Sequence, residues 1–172
     1  AKRVEFSTRS GNLVVTREDE FLSMEFPSRP GEAMDITEPL VSALGVRPRE
    51  AYRSRDLLTI FDSESQVRDF QPDFQRIAAL DTFAVIISAP GDTADYVYRF
   101  FAPRQGIPED PATGSANCTL VPYWAARLGK PELVAKQLSA RGGDLRCALR
   151  GDHVLIAGRA VEYLRGEISV EV

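Results

Sequence analysis

Glu109-Asp110-Pro111-Ala112-Thr113-Gly114-Ser115-Ala116 joins two carboxylates to a turn of small residues, and the stretch from Pro111 to Ala126 carries no charged side chain. Within it, Ala116, Leu120, Trp124 and Leu128 recur at helical spacing, Val121 and Ala125 widen the apolar stripe, and Gly129 supplies the stop. The pattern predicts a helix starting near Pro111 to Ser115. A helix apolar on nearly every face belongs inside a core. Its N-terminus then points free backbone N–H groups into an enclosed space, where the helix dipole favours a carboxylate or phosphate. Upstream, Arg99-Phe100-Phe101-Ala102-Pro103 reads as the end of a strand, and Arg104-Gln105-Gly106-Ile107-Pro108 as a loop.

Each residue type in this run has two uses. Asp110 is a good cap for the helix that follows it, and equally a carboxyl group that can give or take a proton. Thr113, Gly114 and Ser115 are small enough for their amides to approach a substrate carboxylate, and the same composition makes a tight turn. Ser115 has no surrounding nucleophile-elbow motif, and the one histidine, His153, lies in a strand-like segment, so a Ser-His-Asp triad is disfavoured. Cys118, inside the apolar helix, and Cys147, inside an alternating strand, read as small buried hydrophobes. Trp124 and the Tyr96, Tyr98, Phe100 stripe read as core aromatics. Arg141, beside Gly142-Gly143, suits either an acidic substrate or a structural ion pair.

Working outward, residues 1–29 alternate as strands through Val4 and Phe6, then Leu13 and Val15, then Leu22, Met24 and Phe26. Ser10-Gly11-Asn12 and Arg17-Glu18-Asp19-Glu20 supply the turns. Pro27-Ser28-Arg29-Pro30-Gly31 is the best linker. Thr37 is placed as an N-cap with Ile36 and Val41 as a staple and Gly45 as the stop, and Ser63 with Gln66 forms a capping box. Tyr52 to Phe61 is read as one strand, and Pro72-Asp73 opens another short helix. Thr82 to Ala89 is too apolar to be exposed on either face. Beyond the central helix, strands are expected over Gln137 to Arg141, Asp144 to Leu149 and His153 to Ala157, with Val161 to Val172 alternating again.

Composition bounds the class. The chain has 172 residues, 44% hydrophobic, enough for a sizeable core. A net charge of −4 and no Lys/Arg cluster argue against a nucleic-acid surface. No apolar run approaches the ~18 residues of a spanning helix, so no membrane partner is expected. The two cysteines lack metal-ligand or disulfide-framework spacing, which fits a reducing cytoplasm. No cofactor or metal is indicated.

Arg99-Phe100-Phe101-Ala102-Pro103, Gly106-Ile107-Pro108-Glu109-Asp110-Pro111-Ala112-Thr113-Gly114-Ser115-Ala116 and Arg141-Gly142-Gly143 together resemble the C-terminal part of the PhzF-like phenazine-biosynthesis isomerases. The resemblance runs in order along essentially the whole chain. It implies an α+β, diaminopimelate epimerase-like fold: a curved mixed or antiparallel sheet wrapped around a central helix, with remnants of a second similar domain. Residues 1–29 would be strands of the N-terminal domain, 31–160 the C-terminal domain, and 161–172 a strand returning to the first.

The resemblance further implies a cofactor-independent isomerase or epimerase that moves a proton on a small carboxylate-bearing substrate in an interdomain cleft. Asp110 corresponds to the active-site aspartate, Gly114 and Ser115 to a pocket-lining pair, Thr113 lies in the same substrate-binding turn, and Glu109 orients or charges the loop beside the substrate. The family's Gly-Asn-Pro segment, its base glutamate and its Gly-His pair have no counterpart here. Residues 1–172 are therefore expected to be the remainder of a longer protein, inactive without its N-terminal segment, and a cytoplasmic homodimer is expected for the whole. The alternative is a non-catalytic small-anion-binding or regulatory module that keeps the fold.

Overall fold

A computed structural model describes residues 2–8 and 11–169. Its strands are β1 (Arg3–Thr8), β2 (Gly11–Glu18), β3 (Phe21–Pro27), β4 (Glu32–Ala33), β5 (Glu50–Arg53), β6 (Leu57–Ile60), β7 (Val85–Pro90), β8 (Tyr96–Phe101), β9 (Glu132–Gln137), β10 (Gly143–Arg150) and β11 (His153–Arg159). The helices are α1 (Glu38–Leu44), α2 (Glu64–Arg68), α3 (Phe74–Ala79) and α4 (Asn117–Leu128). Among the described residues all eleven strands form one sheet, in the order β1-β2-β3-β11-β10-β9-β8-β7-β6-β5-β4. β6–β7 and β8–β9 pair in parallel and the rest antiparallel. The mixed sheet with a central helix agrees with the expected fold class.

One face of the sheet closes over α4. Leu58, Ile60, Ile86, Tyr96, Tyr98, Leu133, Ala135, Cys147, Val154 and Ile156 share a buried cluster with Ala116, Cys118, Leu120, Val121, Trp124 and Ala125 of the helix region. Strands drawn from both ends of the sheet's middle contribute, so α4 is the axis around which the sheet bends. The opposite face of β5 to β8 carries the three short helices over a second cluster that includes Leu40, Leu44, Phe61, Val67, Phe70, Ile77 and Phe101. β7 is consequently covered on both sides, with Ile86 in the first cluster and Val85 and Ile87 in the second, as its unbroken apolar run requires.

Register carries the core outward to the first hairpin. Val4 pairs with Val15, Val15 with Met24, Met24 with Ile156, Ile156 with Cys147 and Cys147 with Leu133, so one row crosses six strands on one face. At the α4 end the row is buried; at the other, Val4 is 41% and Phe6 52% exposed. β1 to β3 are thus strands, as their alternation predicts, and β3 joins them to β11. The Pro27 to Gly31 segment is laced down rather than loose: Ser28 N donates to Asp152 O, Arg29 N to Cys118 O, and the Arg29 guanidinium to Ser115 O at 2.7 Å.

Several boundaries depart from the sequence reading. Tyr52 to Phe61 is a hairpin: β5 and β6 pair antiparallel across Ser54, Arg55 and Asp56, where Asp56 is buried and held bidentately by Arg55. The strand placed at 137–141 lies earlier, at β9, because Leu133 and Ala135 face the α4 core and Ser139 and Gly142 turn the chain. Thr37 stands at the N-cap without a side-chain cap bond, Pro39 being the feature that favours the helix start. Ser63 does cap Gln66 N, but Gln66 reaches back to Asp62 N, not to Ser63. Residues 160–169 form no strand, and Val161, Tyr163, Leu164 and Ile168 are more than four-fifths exposed. This segment pairs with no described strand. Residues 170–172, and Ser10 of the first predicted turn, lie outside the described residues.

Helix and sheet are also joined by charge. Glu50 of β5 accepts from Tyr52 Oη at 2.7 Å, from Tyr123 Oη at 3.0 Å and from Arg127 at 2.8 Å, the last two on α4. Burial pushes the Glu50 pKa up, but the hydrogen bonds from Tyr52, Tyr123 and Arg127 together with the arginine charge outweigh it, and the net shift is below the ordinary 4.5. A depressed carboxyl pKa contributes stability above the unfolded-state value, and that stability is lost as pH falls through the folded-state value. Glu50→Gln is expected to lower Tm by a few degrees near neutral pH, and the difference from wild type is expected to shrink as pH falls through the depressed folded-state value and the wild-type carboxylate takes up its proton. Parallel thermal melts across that range check it; a difference that persists undiminished in acid would mean that packing, not charge, holds the joint.

Candidate active site

The turn that leads into α4 is built in two steps. Gly114–Ala116 makes a single 3-10 turn and the α-helix proper begins at Asn117, later than the predicted start. The delay has a local cause. The Asn117 side chain, fully buried, donates to Gly114 O at 3.1 Å and more weakly to Thr113 O at 3.4 Å, binding the carbonyls that would otherwise begin the helical ladder. Asn117 is oriented from below: Tyr96 Oη donates to its Oδ1 at 2.6 Å, and its Nδ2 donates to Tyr98 Oη at 3.1 Å. Tyr98 Oη in turn donates to Thr113 O at 3.0 Å. Burial raises the pKa of Tyr98 far above 10, although the bond from Asn117 works the other way, so the hydroxyl stays a donor at any working pH.

The carboxylates of the turn differ in their surroundings. Glu109 is clamped by Arg99, Nε to Oε1 at 2.8 Å and Nη2 to Oε2 at 3.0 Å, and Arg99 also donates to Phe70 O at 2.6 Å and Val67 O at 3.3 Å. Both Glu109 oxygens are thereby taken, and the loop is tied to β8 and to the chain around α2. Asp110 is half-buried. Its N–H donates to Phe100 O at 3.0 Å, and its Oδ1 accepts from Ala112 N at 3.3 Å, a local Asx turn that leaves Oδ2 without a partner among the described residues. Thr113 is buried and its N–H donates to Gln137 Oε1.

Gly114 and Ser115 follow, half-buried. No described residue accepts a hydrogen bond from either amide. A Cβ built on Gly114 would meet nothing within 4 Å, so open space lies in front of that residue. A groove of about 820 Å³ runs there, lined by Ala112, Gly114, Arg141, Gly143 and Arg146. Asp110 and Ser115 are not among its lining residues. Arg141 is exposed at its rim and forms no ion pair among the described residues. A second cavity, about 480 Å³, involves Lys130, Asp95 and Arg150 and none of the turn residues.

The remaining candidates resolve as packing. Cys118 and Cys147 are buried free thiols, and burial pushes Cys147 up to about 12, which makes it a poor nucleophile. His153 opens β11 and pairs with the exposed Asp152 at 2.7 Å. Trp124, Tyr96, Tyr98 and Phe100 are core residues. Sequence reasoning missed Arg99, Asn117 and Gln137. For Gln137 a signal existed: it continues the inward-facing positions Leu133 and Ala135, and a polar residue at such a position requires a partner.

A mixed sheet bent around a buried helix, whose N-terminal turn carries a fixed carboxyl and two free amides, defines a protein of the diaminopimelate epimerase-like class. Its fold is similar to that of a hydroxyproline epimerase from Agrobacterium vitis, with a TM-score of 0.54 at 14% identity over 94% of this chain and 57% of that one. The chain belongs to the phenazine biosynthesis-like protein family, whose profile matches residues 1–166. It is similar to a PhzF-family phenazine biosynthesis protein from Enterococcus faecalis, with a TM-score of 0.94 and 38% identity, covering 99% of this chain and 66% of that one. It is 49% identical over 170 residues to an uncharacterized isomerase of Pseudomonas aeruginosa, covering 98% of this chain and 65% of the relative. The chain spans 64–65% of the length of that relative and of two further isomerases named in the same way. Among the described residues no helix is long and apolar enough to cross a membrane.

Proposed function

We propose that this chain forms one wall of the active site of an isomerase or epimerase that moves a proton at the carbon next to a substrate carboxylate, without a cofactor. The observation that carries the reading is the pairing, within one turn, of a positioned Asp110 carboxyl with Gly114 and Ser115 amides that no described residue occupies. Abstracting such a proton requires a carboxyl group as acid or base and donors that hold the charge developing on the substrate. In this reading the Gly114 and Ser115 amides, with the Ser115 hydroxyl, hold the substrate carboxylate. Thr113 shapes the turn, Asp110 gives or shares the proton, and Glu109, neutralised by Arg99, keeps the loop in place. The main base is a glutamate outside these residues, as the family resemblance implies. That relatives bear the name isomerase supports the same reaction class.

The test is proton exchange. The full protein is incubated in heavy water with a panel of amino, hydroxy and unsaturated cyclic carboxylic acids, and deuterium is followed into the carbon next to the carboxylate by NMR. Incorporation into at least one acid is expected. Crystals grown with the exchanging acid should place a carboxylate oxygen within about 3 Å of the Gly114 or Ser115 nitrogen. Acids that bind at this turn while none exchanges would favour the non-catalytic anion-binding module instead.

A further inference from the structure

We propose that Gln137 is a positioning residue that sets the direction of the Asp110 carboxyl group. It rests on the role proposed above for Asp110. Gln137 ends β9, is 1% exposed, and extends its amide from the sheet into the turn before α4. Nε2 donates to Asp110 O at 2.5 Å and to Thr113 Oγ1 at 3.3 Å, while Oε1 accepts from Thr113 N at 2.5 Å. Asp110 and Thr113 are the first and fourth residues of the Asp110-Pro111-Ala112-Thr113 bend, the two whose carbonyl and N–H bond each other in a closed β-turn. Here the glutamine amide stands between them and serves both.

The consequence reaches the Asp110 side chain through its backbone. Its N–H is held by Phe100 O and its carbonyl by Gln137, so both peptide groups next to the Asp110 α-carbon are anchored and the Cα–Cβ bond has one direction. Ala112 N then selects the rotamer through Oδ1. Ser139 adds a second tie on the same side: its Oγ donates to Pro111 O at 2.6 Å and accepts from Gly142 N at 3.0 Å. Only a side chain with a donor and an acceptor on one planar head can fill the Gln137 position. Glutamate lacks the donor that Asp110 O needs, and methionine, of similar length, lacks both.

A double-mutant cycle in the full protein tests this, with Gln137→Met, Asp110→Asn and the pair, using the acid that shows deuterium incorporation. Gln137→Met is expected to lower kcat on the order of 100-fold, the effect of misplacing a reacting group by about an ångström, with KM changed by no more than a few-fold. It should add nothing to Asp110→Asn. Equal losses in both backgrounds, or a loss confined to KM, would overturn the assignment.

A second measurement needs no turnover and no folded Gln137 variant. In the wild-type protein the Gln137 side-chain amide resonances should follow the titration of the Asp110 carboxyl carbon and lose that response in Asp110→Asn. If they stay still across the Asp110 titration, Gln137 does not act on Asp110. If the coupling is present while no acid is exchanged, the positioning stands and the proposed reaction falls.

Discussion

Asp110→Asn in the full protein is expected to reduce turnover by roughly 100-fold or more while shifting Tm by no more than about 2 °C. The asymmetry comes from what each part of the residue does. Asparagine keeps the backbone bonds to Phe100 and Gln137, and its Oδ1 still accepts from Ala112 N. Asp110 stands ahead of the helix start, whose 3-10 turn has Thr113 at its N-cap, so its side chain stabilises an Asx turn that asparagine forms equally well. The ionisable proton is all that is removed. Turnover per folded molecule, measured by deuterium incorporation alongside a melting curve, separates the two roles. A variant that melts far lower yet exchanges normally per folded molecule would make Asp110 a turn-forming residue and nothing more.

The largest effect on stability is expected at Trp124. It is 1% exposed, stacks on Tyr96 with centroids 5.7 Å apart and planes 2° from parallel, meets Tyr123 edge-on at 5.1 Å, and donates to Ser88 Oγ at 3.0 Å. Truncating a buried tryptophan to alanine typically costs about 3–5 kcal/mol. In a chain of this size that corresponds to a fall in Tm of about 6–20 °C. Trp124→Phe, which keeps a ring against Tyr96 but loses the Ser88 bond, should fall between. Denaturant unfolding of both variants checks the order. A loss below about 1 kcal/mol for Trp124→Ala would mean that α4 is not the axis of the core.

The central helix was legible because its period is long and its contrast high: Leu120, Val121, Trp124 and Ala125 are all in the core their spacing predicts, whereas Leu128, in the last turn, is 43% exposed. Its first turn was not, because the competitor is a side chain, Asn117, that claims carbonyls at Thr113 and Gly114. The hairpin at β5 and β6 was hidden because its polar turn, Arg53-Ser54-Arg55-Asp56, holds neither glycine nor proline. Of the candidate site, the turn itself could be read from composition and resemblance. Its supports could not: Gln137 and Asp110 are joined across 27 positions of chain, and no local pattern encodes which distant side chain faces an inward turn. Strand order escaped for the same reason, since β8 pairs with β9 around the whole of α4.

The pairing of Pro27 with His153, and of Phe21 with Arg159, has a consequence for the chain as it is made. At about 5–20 residues per second, β3 leaves the ribosome on the order of 10 s before its partner strand exists. For that interval the side of β3 that pairs with β11 has no partner strand, while its other side is held by β2. β3 therefore keeps one edge unpaired until residues 153–159 have emerged, and synthesis rate and chaperone access at that stage bear directly on the yield of folded protein.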